Sequence, residues 1–474
     1  MPAGTRLKGD TLKLETYLKA NIYFYLVSMK ILSKLNLTKI SPIKKNIFST
    51  FFGVAIQLFT QVVLVPFYII CWGNDLYSDW IVLSAITGFF SVTDIGLTTV
   101  TVNRFSIEFA KGDYKACHSL LTNSIVLLTT TFLICFILLI PILVYKDIRV
   151  IAGLHAMTRV ESTIIVLLFL FKIFLGMMGA IYNSIYRATS NASKGMMAVN
   201  ISKILEGVFM VICLVSKVPV IITAFFFVLP SFLLYVYIKI NTTTNFFKYS
   251  FSLKYIDTKL FKELLIPSFS FMAFPLCQAI NTQGMTLIVN AFFGSNTVVL
   301  FNTTRTLVNF VKSIITNLQN AIWPEFTVAY ANKQIERAKN IARKTFQSSF
   351  IVSIIFAVLL SFLGSYIYEI WTRGQIKFDL LLMSILMMSV VADSFWSSSR
   401  LILNATNNHI KVGPLYLILT IISIILSYYV GLISSNLYLC LSCLLLIDII
   451  MAPYTINLGL KLTKDKFVNL FSIK

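Results

Sequence analysis

The chain has 474 residues, 57% of them hydrophobic and only 12% charged, with a formal net charge of +21 and a mean hydropathy of +0.82. A soluble domain carries about 25% charged residues, so this composition excludes a soluble enzyme and leaves a polytopic membrane protein with no sizeable soluble domain. The excess Lys and Arg are scattered over many short connections, which is a poor pattern for binding nucleic acid.

Residues 1–28, "MPAGTRLKGDTLKLETYLKANIYFYLVS", lack a secretory signal pattern. They read either as an interfacial helix or as a stretch preceding a start at Met29. Apolar runs of spanning length then recur at 46–71, 80–103, 119–145, 162–186, 196–216, 218–238, 264–293, 297–322, 346–371, 379–403, 413–432 and 437–458. Lys and Arg favour the connections on the N-terminal side by about five to one, which places both termini in the cytoplasm. The fold class is therefore an all-α polytopic membrane protein of about 12 transmembrane helices, N-in and C-in. Seven cysteines lie mostly in apolar runs, and the Cys440/Cys443 pair falls inside "YLCLSCLLL", so they read as small packing residues. No metal, no cofactor and no nucleophile–base pair is expected, hence no enzyme.

The two halves match at a fixed offset. Adding 221 carries Gln57 to Gln278, Thr60 to Asn281, Gly73 to Gly294, Phe105 to Phe326 and Ala110 to Ala331. Further on the offset is 217, where "RATSNASKG" meets "NATNNHIKV". Six spans per half make two parallel repeats, an arrangement in which substrates bind between the halves. The expected organisation is a basic cytoplasmic segment 1–45, a six-helix bundle 46–240, a linker 241–262, a second bundle 263–458 and a cytoplasmic tail 459–474.

Polar residues fall in stripes. In the eighth span Asn302, Arg305, Asn309, Lys312, Thr316 and Gln319 step by three and four, so they share one helical face. Arg305 and Lys312 are near mid-membrane, about 10 Å apart along the axis. Facing lipid would cost about 2.5–3.5 kcal/mol each, so both should face a cavity or a counter-charge. In the second span Ser84, Thr87, Ser91, Asp94, Thr98 and Thr101 repeat the spacing. Shorter stripes are Lys172, Gly176, Gly179, Asn183 and Arg187 in the fourth span, and Asp393, Ser397, Arg400 and Asn404 in the tenth. Lys203 and Glu206 are spaced to pair on one helix surface. Pro267 and Pro275 interrupt the seventh span, which makes it a candidate gate. The expected cavity residues are Arg305, Lys312, Lys172, Asn302, Asn309, Asp94, Asp393 and Arg400, with Arg104 and Arg187 at the cytoplasmic entrance. Such a cationic, hydroxyl- and amide-lined path suits an anionic substrate rich in hydroxyls.

The stretch 71–114 carries a Gly73 and Tyr77 loop, Trp80, the run Asp94–Ile95–Gly96–Leu97, and Arg104 leading to Lys111–Gly112–Asp113. It resembles the first-to-second helix region of Wzx-type O-antigen flippases, polysaccharide-export proteins of the multidrug/oligosaccharidyl-lipid/polysaccharide exporter superfamily. Tyr77–Ser78 departs from the family's usual Tyr-Gly. The resemblance implies a MATE-like fold in a bacterial inner membrane. It implies a flippase that moves an undecaprenyl-diphosphate-linked oligosaccharide to the periplasmic leaflet by alternating access. An H+ or Na+ gradient would be the driver, with Asp94 and Asp393 as ion-coupling candidates. Membrane lipid, a polysaccharide polymerase and a chain-length regulator are the implied partners. The competing readings are a drug-cation antiporter on the same fold, which would favour deep acids, and a peptidoglycan-precursor flippase, which has fourteen helices.

Overall fold

Two glycines 221 positions apart set the architecture. The computed structural model describes residues 42–94, 96–331, 334–405 and 412–470; residues 1–28 and the alternative start at Met29 lie outside them. The first helix, α1 (Pro42–Gly88), folds back at Gly73, whose φ of 73° and ψ of −178° lie where an L side chain is disfavoured. Gly294, in α9 (Met285–Ala331), has φ 75° and ψ 177°. The same strained turn at both positions is what a duplicated chain requires. Phe105 and Phe326, also 221 apart, are both fully buried.

The second span is not the single helix its periodicity suggests. After Gly88 the chain tightens into a 3-10 turn, Phe89–Asp94, and restarts as α2 (Leu97–Lys111) behind the left-handed Gly96. Asp94 causes the restart: its carboxylate accepts the Thr98 N–H at 3.0 Å and the Thr98 hydroxyl at 2.6 Å. A short carboxylate side chain that satisfies an open helix start competes with continuation of the preceding helix.

The first half continues with α3 (Tyr114–Tyr145), the short α4 (Ile148–Ala152), α5 (Arg159–Ala188), α6 (Ala192–Val215) and α7 (Val220–Asn245). The second half opens with α8 (Thr258–Ala279), which passes through a π-turn, Ile280–Gly284, into α9. It continues with α10 (Ile335–Thr372), α11 (Leu380–Ala405), α12 (Gly413–Ser434), α13 (Leu437–Ser442) and α14 (Leu445–Thr463). The seventh span is thus helical through Pro267 and Pro275, and its irregularity comes at the π-turn beyond them. Among the described residues, nine helices are long and apolar enough to cross a membrane, one of them the bent Phe274–Gln319. Every regular element described is helical.

In the first half α1 packs on α6, and α5 packs on α7 and α2; in the second, α11 packs on α10 and α14, and α8 on α12. The halves meet chiefly where α1 lies against α9. At the end away from the basic connections, the Asn74 amide donates to Asn296 at 2.7 Å, so the two glycine turns touch. Nearby, Asn290 of the second half donates to the Ala152 carbonyl of the first. The buried Asp79 holds the connection behind α4 by accepting the N–H groups of His155, Ala156 and Met157 at 2.8–3.0 Å. At the basic end the halves are linked by an Arg104–Glu263 ion pair at 3.1 Å, with side chains 35% and 61% exposed.

Candidate functional site

The eighth-span stripe opens onto a cavity of about 430 Å³ in the second half. Arg305, Asn309, Lys312 and Thr316 line it from α9, Asp393, Trp396 and Arg400 from α11, Gln278 from α8, and Asn281 and Thr282 from the π-turn. Tyr416 of α12 and Asp448 of α14 complete it, and among the described residues Val54 of α1 is the lining residue that the first half supplies. Among the described residues the cavity is thus lined almost wholly by one repeat and faces the other.

Arg305 is held without a carboxylate among the described residues. Its Nη1 donates to the Thr282 carbonyl at 2.7 Å and its Nη2 to Asn302 Oδ1 at 2.8 Å, and its guanidinium lies 4.8 Å from the Phe301 ring centre. Thr282 belongs to the π-turn, whose altered hydrogen-bond register disturbs the regular carbonyl ladder; the guanidinium fills the gap. Asn302 thus acts on Arg305 and does not itself line the cavity. Lys312 makes no ion pair within 4 Å among the described residues, and Asp448 lies within its electrostatic reach. Arg400 stacks 4.8 Å from the Trp396 ring centre and 5.7 Å from that of Phe274.

Asp448 is the functional candidate that the stripes miss. It is 6% exposed, and accepts the Trp396 Nε1–H at 2.8 Å and the Ser389 hydroxyl at 3.0 Å. Asp393 repels it across the cavity and Lys312 attracts it. Its signal was a lone carboxylate in the apolar run "LLLIDIIMAPY". Among the described residues the cavity's charged groups are thus Arg305, Lys312 and Arg400 against Asp393 and Asp448.

Several expected members lie elsewhere. Lys172 sits in the first half, where its Nζ donates to Glu206 at 2.8 Å and lies 3.4 Å from the Phe227 ring centre. Ser231 donates to the other Glu206 oxygen at 2.8 Å. Glu206 is therefore hydrogen-bonded to Lys172 on another helix, with Lys203 on its own helix within its electrostatic reach. Asp94 is occupied at the break in the second span. Gln319, at the end of the stripe, is buried and donates to Ser349, Ser397 and Ser398 at 3.0–3.3 Å, tying α9 to α10 and α11. Arg187 is exposed in the last turn of α5, where a cation suits the helix dipole.

Arg104 does line an opening. A groove of about 1200 Å³ at the basic end runs between α2, α3 and the segment leading into α8, and Arg104, Lys111, Lys115 and Lys254 face it with Glu108, Asp113, Asp257 and Glu263.

No known family's sequence pattern matches the chain, and no curated protein matches it in sequence. Solved structures do. An inward-facing multidrug resistance MATE family transporter of the MOP superfamily superposes with a TM-score of 0.68 at 13% identity, over 91% of this chain and 98% of its own. An outward-facing form of such a transporter gives 0.62 at 14% identity, over 90% and 97%. A MOP superfamily transporter from Pyrococcus furiosus gives 0.63 at 15% identity, over 92% and 98%. The chain is thus a multi-pass helical membrane protein with the fold of MATE transporters.

Proposed function

We propose that this protein is an alternating-access transporter that flips an anionic, hydroxyl-rich, lipid-linked oligosaccharide, in particular an undecaprenyl-diphosphate-linked repeat unit, between leaflets. The observation that carries the reading is the group Arg305, Lys312 and Arg400 lining one mid-chain cavity without an ion-pair carboxylate among the described residues. Desolvated cations need a partner, and a diphosphate supplies charge-assisted hydrogen bonds to guanidinium and ammonium groups alike. Asn309, Gln278, Asn281 and Thr316 present amides and a hydroxyl for sugar, while the lipid tail stays in the bilayer. The Pyrococcus furiosus neighbour is itself described as having a binding pocket of reverse polarity that suggests a different function.

Alternating access is supported by the two ends. The basic end has the 1200 Å³ groove and a solvent-exposed ion pair, whereas the opposite end is closed by Asn74–Asn296 and Asn290–Ala152. The likeness to the inward-facing transporter, 0.68, exceeds that to the outward-facing one, 0.62. On this reading the protein works in a bacterial inner membrane and delivers its product to a polymerase and chain-length regulator on the far side.

A drug-cation antiporter is the second reading, favoured by Asp393 and Asp448 beside the Trp396 and Tyr416 rings, which could hold an organic cation. Proteoliposomes separate the two. Translocation of a fluorescent diphosphate-linked oligosaccharide lipid should occur and fall at least ten-fold in Arg305→Ala; ethidium transport without lipid translocation would establish the antiporter. A disulfide introduced across the closed end by combining Asn74→Cys with Asn296→Cys should stop translocation until it is reduced.

A further inference from the structure

Between α6 and α7 lies a groove of about 480 Å³ that shares no lining residue with the charged cavity. Ile201, Leu205, Leu233 and Leu234 wall it, Lys194 stands at one end, and Tyr237 borders it. Its volume is in the range of about 300–1,000 Å³ typical of built ligand sites. From Lys194 to Leu205 the helix rises about 16 Å, which is half of a hydrocarbon core about 30 Å thick. The groove therefore runs from the basic, cytoplasmic end to the middle of the bilayer and matches the depth of one leaflet.

The mouth is cationic. Lys194 rests 4.9 Å from the Phe246 ring centre. It forms no ion pair among the described residues and is exposed. The aromatic face holds its ammonium group in place and leaves its charge unneutralised. A leaflet-deep apolar slot under a fixed cationic mouth matches one occupant: an acyl chain lies in the slot and an anionic head sits on the ammonium group. A zwitterionic choline head would bring a second cation against Lys194. A juxtamembrane Lys attracts an anionic surface, and the slot adds a fixed position to that diffuse attraction. We propose that this groove is a binding site for an anionic phospholipid of the cytoplasmic leaflet, held on the first six-helix repeat.

The test uses the full chain in nanodiscs of equal parts palmitoyl-oleoyl phosphatidylglycerol and phosphatidylcholine, released into native mass spectrometry. The wild-type protein should retain one phosphatidylglycerol at least five-fold more often than one phosphatidylcholine. Lys194→Gln, at the surface, should abolish that preference while the melting temperature changes little, and Lys239→Gln, on the opposite face of α7 from the groove, should leave the preference in place. Ala198→Trp, which fills the groove, should lower retention of both lipids. Equal retention of the two lipids by the wild-type protein, or a preference that survives Lys194→Gln, overturns the site. Preferential retention of an added polyprenyl diphosphate over phosphatidylglycerol also overturns it, by assigning the groove to a transported lipid.

Discussion

In the first half, Lys172 meets Glu206 at 2.8 Å, Ser231 takes the carboxylate's other oxygen, and Phe227 lies under the ammonium. In the second half, Arg305, Lys312 and Arg400 line a cavity and none is closed by a carboxylate within ion-pair distance among the described residues. The position equivalent to Lys172 under the 217 offset is Ser389, which donates to Asp448 on the cavity wall. The two repeats thus place a polar contact at the same point of the scaffold. One copy has become a closed ion pair. The other keeps its carboxylate beside a cation that still lacks a direct partner. Charge that is satisfied within the protein holds helices together, and charge that is not satisfied is available to a ligand.

The sharpest way to break this comparison is to remove one charge from each half. Lys172→Ala leaves the partly buried Glu206 without its ion-pair partner, a change that costs up to about 3–5 kcal/mol where the remaining charge is fully buried, so membrane abundance and melting temperature should both fall. Lys172→Met with Glu206→Leu removes both charges and should recover most of the loss. A double variant as unstable as the single one would show that the pair is not what Lys172 contributes.

Arg305→Ala should behave oppositely, with abundance near wild type and lipid translocation at least ten-fold lower. Arg305→Lys should retain more activity than Ala, because charge persists while the two-pronged hold on Thr282 and Asn302 is lost. A loss of abundance like that of Lys172→Ala would make Arg305 a clasp for the π-turn and erase the contrast between the halves.

A smaller effect is expected at Asp448. In Asp448→Asn the amide oxygen can still accept from Trp396 or Ser389, so melting should shift by no more than about 1 kcal/mol equivalent. The change removes one of the two carboxylates that line the cavity among the described residues. Lipid translocation should then stay within about three-fold of wild type, an estimate from the modest worth of one such contact, and any organic-cation transport should disappear. Lipid translocation lost with organic-cation transport kept would reverse the assignment of the two readings.

Much of this comparison was legible in the sequence, and the reasons differ by feature. Spans announce themselves through run length, and the repeat through Gly73 and Gly294, because a positive φ leaves glycine as the fitting residue at both turns. The Arg305–Lys312 face is a local consequence of helical spacing. The break at 89–96 was hidden because polar residues keep stepping by three and four straight through it. Glu206 was assigned to Lys203 because local spacing cannot reveal a partner 34 residues away. Asp448 belongs to no stripe, and periodicity has nothing to say about a single acid. The π-turn also lacks a residue pattern of its own, although it supplies the carbonyl that holds Arg305.

The smallest expected effect on translocation lies outside both halves' interiors and sets a baseline for the comparison. Arg343 grips Asp465 with two bonds, Nε to Oδ2 and Nη2 to Oδ1, each 2.7 Å, and so fastens the tail after α14 to the start of α10. Hydrogen bonding from that guanidinium, with help from Asn469, pulls the Asp465 carboxyl down to about 2, against an ordinary Asp value of about 3.9. A carboxylate with a depressed folded value stabilises fully above the unfolded value and loses that contribution as pH falls through the folded one. Arg343→Ala should therefore lower the melting temperature at pH 6 by the equivalent of about 1–2 kcal/mol. The gap from wild type should narrow as pH falls from about 4 towards 2. Lipid translocation at neutral pH should stay near wild type, because this pair faces no cavity residue. A gap that does not change with pH would mean that Arg343 acts through packing, and that the tail is held by Gln347 and its bond to the Leu470 carbonyl instead.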